Sequence, residues 1–448
     1  MESQPAGMLP PSWRRMLANS GWLLAERLVG LVSQLLIGGW VARYLGPQQF
    51  GTLNALLAVS GLLVPLLGLG LSPVIIRDLL RDPDERGVLL GSGLVLRGAA
   101  LLVGLPAVLL FALLMPAGSL PADLLAAALF GTAAQVLQEG VADLFRARLE
   151  GERIARAAAL AQLTVLLLRT SLIVTAAPLI WFVWAFSLQF ALAAALLLLE
   201  LRGRIDARLR WGAARARQLL RDSWPLMLGG LAALLPLKAD QILLSRLADA
   251  EQLGRYVVAV RLTELSYLLP VAVNASLLPL LVRSARLPAD QQQRRLQLVF
   301  DLQVLMSLAA VPLLLLSAPL LIDVLFGPEY REALEYLWIY APTFIFVAFG
   351  LLRGNWLTTI NRNDLVLLTL FGGALMNLLL NLWWIPRHGA YGSAAAALVT
   401  QIAMNGLSSR LLPDGGQIWH CQLRAFAVPL RLPALLRELR RLREGDAE

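Results

Sequence analysis

The sequence predicts an all-α protein that crosses a membrane about twelve times, and three observations predict it. Of its 448 residues, 58% are hydrophobic and only 15% charged, where a soluble domain runs about 45–50% and about 25%. The apolar residues gather into about twelve stretches, each near the ~20 residues that one crossing needs. The arginines fall mostly on every second connection, the bias expected of cytoplasmic loops. This composition excludes a soluble enzyme, a disordered chain and a disulfide scaffold. Cys421 is the only cysteine, so no intramolecular disulfide forms, and His388 and His420 are the only histidines, too few for a zinc cluster. The net charge is +9, almost all of it arginine. In a chain this apolar, such a charge points to anionic membrane lipid and away from nucleic acid.

Hydropathy places the spans near 20–42, 52–75, 88–114, 121–142, 157–177, 178–201, 222–247, 254–282, 298–326, 334–360, 364–385 and 389–412. The stretch 157–201 counts as two because it exceeds one bilayer and Pro178 falls within it. On one side lie Arg14 and Arg15, then Arg77, Arg81 and Arg86, then Arg146, Arg148, Arg153 and Arg156, then seven arginines from Arg202 to Arg221, then Arg283, Arg286, Arg294 and Arg295. The other side holds scattered ones, such as Arg43, Arg255, Arg331 and Arg387. Both termini are therefore expected in the cytoplasm and the number of spans even. The twelve tryptophans, from Trp13 to Trp419, fall near span ends, where amphipathic rings anchor at the headgroups. The first apolar run is long and carries Glu26 and Arg27, unlike a cleaved signal peptide. At the other end Leu432, Leu435, Leu436, Leu439 and Leu442 alternate with Arg437, Arg440, Arg441 and Arg443, which predicts a basic interfacial helix.

The polar segment 202–221 divides the spans six and six. The chain is thus expected to form an N-terminal six-helix lobe (1–201), a cytoplasmic basic linker (202–221), a C-terminal six-helix lobe (222–412) and a cytoplasmic basic amphipathic tail (413–448). A weak repeat accompanies the division. Ser20-Gly21-Trp22 opens the first span and Asp222-Ser223-Trp224-Pro225 the seventh; Gln49-Phe50-Gly51 and Gln252-Leu253-Gly254 follow, then Pro65 and Pro270. Two such lobes about an axis along the membrane normal form a transporter architecture.

Ionisable groups inside spans face a cavity or one another, because a lone charge in hydrocarbon is costly. Glu26 and Arg27 lie in span one, Arg97 in span three, Arg169 in span five, Lys238 and Asp240 in span seven, Arg261 and Glu264 in span eight, and Arg353 in span ten; Lys238 is the only lysine. Span eleven carries Asn377 and Asn381 one helical turn apart. Two readings stand side by side. In one, Arg27, Arg97, Lys238, Arg261 and Arg353 line a net-positive cavity suited to a phosphate or diphosphate, with Glu26, Asp240 and Glu264 among them. In the other, the adjacent pairs neutralise each other and fix helix packing. Arg97 and Arg353 have no sequence neighbour to pair with, so they are the expected ligand contacts, whose loss would abolish transport in a folded protein. No phosphate loop, nucleophile elbow or metal-ligand cluster is present, so no cofactor and no catalytic residue is expected. Asp82-Pro83-Asp84 has the form of a glycosyltransferase metal motif but sits in a short inner loop.

Three stretches together resemble the oligosaccharide flippase family of O-antigen type, the polysaccharide-transporter branch of the MOP exporter superfamily. They are AERLVGLVSQLLIGGWVARYLGPQQFGTLN (25–54), the run 224–273 with its Lys-x-Asp-Gln, Leu-Gly-x-Tyr and Arg-Leu-Thr-Glu, and LFGPEY (325–330), followed by the paired asparagines and Ile385-Pro386. The resemblance implies a MATE-like fold and alternating access between two lobes in a bacterial inner membrane. The implied cargo is an undecaprenyl-diphosphate-linked oligosaccharide, the repeat unit of a polysaccharide or lipopolysaccharide. The five cations become contacts to the head group, and Glu26, Asp240 and Glu264 the groups that exchange an ion. A polysaccharide polymerase and chain-length proteins become partners. A multidrug exporter of the same fold and, in a different class, a membrane glycan polymerase or ligase are the alternatives. Short outer loops argue against the second, and twelve spans against the fourteen usual in peptidoglycan-precursor flippases.

Overall fold

The computed structural model describes residues 11–114, 121–201, 209–285, 287–411, 416–433, 435 and 437; within 11–34 it describes the backbone and the side chains of Trp22 and Gly30 alone. Fifteen α-helices follow one another, with no strand among the described residues. The first, α1 (Pro11–Leu67), is two helices merged across Gly46, whose φ of 70° and ψ of 169° are non-helical. Gly46 tolerates that conformation for want of a Cβ, and Pro47 starts the next helix because its missing N–H would have no partner there. The crossing resumes as α2 (Leu71–Arg81). Next come α3 (Arg86–Leu114), α4 (Ala122–Ala147), α5 (Gly151–Val174) and α6 (Leu179–Leu201), the last two parted at Pro178 as expected. The second half of the basic segment 202–221 is helical, as the opening of α7 (Ala213–Leu247).

A single crossing is then built from α8 (Ala250–Ser266) and α9 (Leu268–Ser284), which meet at Tyr267. After α10 (Ala289–Leu321) the chain makes a π turn at Ile322–Phe326. Next, α11 (Ala333–Tyr340) and α12 (Thr343–Thr359) meet at Pro342. The next helix, α13 (Asn363–Gln401), breaks at Gly389 and is followed by a second π turn at Ile402–Leu407. Then α14 (Ser408–Leu411) ends the last crossing and α15 (Gly416–Phe426) begins the tail. Nine runs are long and apolar enough to cross a membrane. One of these, Asn363–Leu411, holds two crossings that part at Gly389, the α1 backbone from Pro11 to Gly46 is long enough for another ahead of the Leu35–Arg81 run, and the hinged α8–α9 pair supplies one more, giving twelve among the described residues.

Large apolar side chains cover the outside. Leu102, Val174, Leu316 and Leu411 each expose 79–84% of their surface. Such a surface would aggregate in water, and the chain is a multi-pass membrane protein. Trp40, Trp181, Trp224, Trp338 and Trp383 are more than half exposed, as headgroup anchors should be. Trp356 is not one of them: it is 3% exposed and packs with Leu281, Phe349 and Ile418, so its place near a span end was misleading.

The chain divides into two compact units, one ending at Leu234 and one beginning at Leu235, within α7. The first is held by small residues. On α4, Ala127, Ala128 and Gly131 are buried against α6, where Ser187 Oγ donates to Ala127 O at 2.6 Å. A Cβ on Gly131 would lie 2.6 Å from Ser187 Oγ, so the glycine lets the two backbones approach. In the second unit, Leu296, Phe300, Phe349, Trp356, Ile418 and Cys421 form a core around α10, α12 and α15. Of the predicted tail helix, α15 precedes it and docks through Ile418, Cys421 and Ala425. Leu436, Leu439, Leu442 and Arg440, Arg441 and Arg443 lie outside the described residues.

Asp249 caps α8 by accepting from Gln252 N at 2.7 Å, and Gln252 Oε1 in turn accepts from Ala390 N, just past the Gly389 break. Gly389 has φ 54° and ψ −133°, and a Cβ there would stand 2.1 Å from Gln252 Oε1. Gly389→Ala should therefore lower the melting temperature in detergent, from a backbone cost of about 2 kcal/mol plus that clash. Adding Gln252→Ala should restore only part of the loss, because the strained φ remains. Burial pushes the Cys421 thiol up to about 12. N-ethylmaleimide should leave it unlabelled at pH 7.5 in the folded protein and label it fully after denaturation in dodecyl sulfate.

Candidate functional site

Inside the first unit, Arg97 on α3 is 2% exposed and its Nη2 donates to Asp143 Oδ2 on α4 at 2.8 Å and to Ser72 Oγ on α2 at 2.9 Å. Arg146 Nη1 reaches the other oxygen of Asp143 at 3.2 Å. Glu139 lies within electrostatic reach of both arginines, so two acids and two bases balance. Gly140 makes room for the guanidinium, since a Cβ would come within 2.9 Å of Arg97 Nη1. Three helices thus converge on one buried cation. This corrects the expectation that Arg97 stands without a partner: its partner is Asp143, 46 residues away.

Arg353 on α12 is also engaged, in a different way. It is 4% exposed, and its Nη atoms donate to Met404 O, to Ser408 Oγ at 2.5 Å and to Asn405 Oδ1 at 3.1 Å. These acceptors belong to the π turn 402–407 and the residue after it, where the wider helix frees carbonyl groups. No carboxylate lies within 4.0 Å of it among the described residues, and its Nε is buried without an acceptor. Arg353 therefore braces α12 against the last crossing, and its lack of a sequence neighbour did not mean lack of a partner.

The second unit brings four of the predicted residues together. Asp240 on α7 is 1% exposed; Tyr256 Oη donates to its Oδ2 at 2.7 Å and Gln241 N to its Oδ1 at 2.7 Å. It is not salt-bridged to Lys238, which sits half-buried two residues away within electrostatic range, with no carboxylate within 4.0 Å among the described residues. Glu264 lies within range of Asp240 and of Arg261, so Lys238, Asp240, Glu264 and Arg261 form a charged row in which two carboxyl groups stand between two cations. Tyrosines wall the row. Tyr256 meets Tyr340 edge to face at 6.0 Å, Tyr267 stacks on Phe344 at 6.0 Å, and Tyr267 Oη shares a hydrogen bond with Thr343 Oγ1 at 3.2 Å. Asn377 and Asn381 are buried and bonded to each other, Nδ2 of Asn381 to Oδ1 of Asn377 at 3.0 Å. The side chains of Glu26 and Arg27 lie outside the described residues.

Sequence reasoning missed Asp143 because the apolar stretch appeared to end at 142, while α4 continues to Ala147. It missed Tyr256, Tyr340 and Tyr267 as polar partners; Tyr256 was visible only as the last letter of Leu-Gly-x-Tyr. Asp82 bonds Arg215 at 3.0 Å, an ion pair, and no group of three metal-binding side chains occurs among the described residues.

Residues 16–285 match the family described as polysaccharide biosynthesis protein. The chain belongs to that family. Its fold is shared with a multidrug resistance MATE family transporter of the MOP superfamily, in an inward-facing conformation (15% identity over 89% of this chain and 94% of that one, TM-score 0.70). It is also shared with the lipid II flippase MurJ, inward closed (14%, 92% and 91%, 0.72). A MOP superfamily transporter from Pyrococcus furiosus matches more loosely (15%, 93% and 94%, 0.56). No curated protein matches the sequence. The resemblance read from the three motifs thus holds at the level of family and of MOP fold. Much of LFGPEY serves the architecture: Gly327 (φ 101°) closes the π turn, Phe326 packs on Tyr330, and Glu329 O accepts from Arg255 at 3.2 Å.

Arg97→Ala should destabilise the protein by about 3 kcal/mol or more, because it leaves Asp143 buried and uncompensated. Asp143→Ala should do the same, whereas Arg97→Met with Asp143→Leu should recover most of the melting temperature in detergent. A double variant no more stable than Arg97→Ala would place the arginine's value elsewhere than in the pair.

Proposed function

We propose that the protein is a transporter, not an enzyme, and that it carries an undecaprenyl-diphosphate-linked oligosaccharide from the cytoplasmic to the outer leaflet of a bacterial inner membrane. The observation that carries this reading is the half-buried Lys238 ammonium, with no carboxylate within 4.0 Å among the described residues, in a membrane helix of a polysaccharide biosynthesis family member. A cation held at that depth is costly unless something anionic answers it, and a diphosphate does. Lys238 and Arg261 contact the head group; Arg97 and Arg353, already engaged, hold the helices that shape the lobes. Arg27 remains a head-group candidate on span one. Support for the cytoplasmic termini comes from the arginine distribution.

Ion coupling is assigned to Asp240 and Glu264, with Glu26 as the third candidate. A carboxylate answered by a phenol and a backbone N–H is free of the strong cation lock that would hold it ionised. The repeat unit belongs to a surface polysaccharide such as O-antigen, and a polymerase and chain-length proteins act on the delivered product. The shared fold of the lipid II flippase MurJ supports this reading.

The test is translocation in proteoliposomes of a fluorescent undecaprenyl-diphosphate oligosaccharide, read as loss of access to an outside glycosidase with and without a proton gradient. Wild type should protect the lipid. Lys238→Ala should lower the rate at least tenfold with an unchanged melting temperature, and Lys238→Arg should retain much of it. Asp240→Asn should remove the gradient dependence. Equal rates for Lys238→Ala and wild type would sink the head-group assignment.

A further inference from the structure

A cavity of about 490 Å³ opens in the second unit between the start of α10 and the tail that carries α15. Its lining includes Arg294, Arg424, Arg431, Asp290, Asp301 and Gln297. Asp301, 5% exposed, is the floor: Gln297 Nε2 donates to its Oδ1 at 2.7 Å, and Arg431 Nη2 reaches the same oxygen at 3.1 Å. Gln297 Nε2 also reaches Cys421 O at 3.1 Å, so the tail is tied to α10 at the base of the cavity. At the rim, Arg294 and Arg424 are exposed, and among the described residues neither has a carboxylate within 4.0 Å. Asp290, one turn before Arg294, does not bridge it. The lining thus presents three guanidinium groups to two carboxylates, and among the described residues no carboxylate answers the two outer ones.

The same tail segment has a second face. Ile418, Cys421, Ala425 and Val428 are buried, while Leu423, Phe426 and Leu430 turn outward, exposed by 50%, 42% and 87%. The outward apolar stripe runs from Leu423 and Phe426, one turn apart on α15, to Leu430 in the 3-10 turn Val428–Arg431, the same segment that carries Arg424 and Arg431. The segment follows the end of the last crossing, and α10 begins a crossing, so the cavity lies at a membrane boundary. Unpaired guanidinium groups beside an outward apolar stripe at that depth match one ligand chemistry: a phosphate carried on an acyl-chain anchor.

We propose that this cavity binds the phosphate of an anionic phospholipid, gripped by Arg294 and Arg424, with the acyl chains against Leu423, Phe426 and Leu430. Bound lipid then clamps the tail onto α10. The assignment requires only that the chain sits in a membrane, and it stands or falls independently of the cargo.

The experiment uses the full chain in dodecyl maltoside. Its melting temperature is followed while titrating dihexanoyl-phosphatidylglycerol, dihexanoyl-phosphatidylcholine or inorganic phosphate. Phosphatidylglycerol should raise the melting temperature saturably, and the other two should not. Arg294→Ala with Arg424→Ala should weaken that response about 30-fold in concentration, two basic contacts being lost, and leave the lipid-free melting temperature unchanged. Should the double variant be less stable, the single variants Arg294→Gln and Arg424→Gln give the same readout. Leu430→Ser should also weaken the response. Stabilisation by phosphate equal to that by phosphatidylglycerol would identify a free-anion site and overturn the lipid assignment. An equal response to phosphatidylcholine, or a wild-type response from the arginine variants, would overturn the site itself.

Discussion

Water is missing around the middle of every long helix in this chain, and that constraint shapes each buried polar group. A charge placed there must be answered from within the protein, because hydrocarbon offers nothing. Three answers are used. Arg97 is answered by a carboxylate on a neighbouring helix. Arg353 is answered by a carbonyl and side-chain oxygens around a π turn. Asp240 is answered by a phenol and a backbone N–H. The consequences differ. The first fixes three helices rigidly, the second rests on a local widening of a helix, and the third leaves a carboxylate with no formal counter-charge in contact. Among the described residues Lys238 has none of these in contact, and its nearest opposite charge, Asp240, acts on it at range.

Packing obeys the same constraint from the apolar side. Lipid solvates leucine as well as another leucine does, so apolarity alone cannot draw two membrane helices together. The first unit relies on close backbone approach instead, with Gly131 against Ser187 and a run of alanines on α4. Around the connections, glycine and proline allow reversals within a few residues, at Gly46-Pro47 and at Gly389. Those reversals need no sizeable loop, which is why hydropathy sees nearly continuous apolar sequence there.

The two units spend their charge differently. In the first, Arg97, Asp143, Arg146 and Glu139 neutralise one another. In the second, the row from Lys238 to Arg261 sets two carboxyl groups between two cations and is walled by tyrosines. The weak sequence repeat therefore does not extend to chemistry. Family motifs likewise divide by task, with LFGPEY building a turn, while the Lys-x-Asp-Gln and Arg-Leu-Thr-Glu stretches supply the charged row.

By itself the sequence determined the class, the crossings and their division into twelve. Apolar length, arginine placement and Pro178 are local quantities, and a bilayer reads them one segment at a time. Membership of the family was legible for the same reason, since its motifs are contiguous. Partnership was not. Asp143 lies 46 residues from Arg97 and just past the apolar stretch that hydropathy recognises. Nothing in the residues after Gln401 announces a π turn that accepts from Arg353, and nothing at Trp356 distinguishes a headgroup anchor from a core residue. Lys238 and Asp240 look like a pair at two residues' separation, yet successive helical positions point 100° apart, and it is Tyr256 that reaches the carboxylate. Which charge answers which is decided by helices that meet only after folding. Tertiary structure alone therefore separates the cations that brace helices, Arg97 and Arg353, from Lys238, which meets no carboxylate among the described residues.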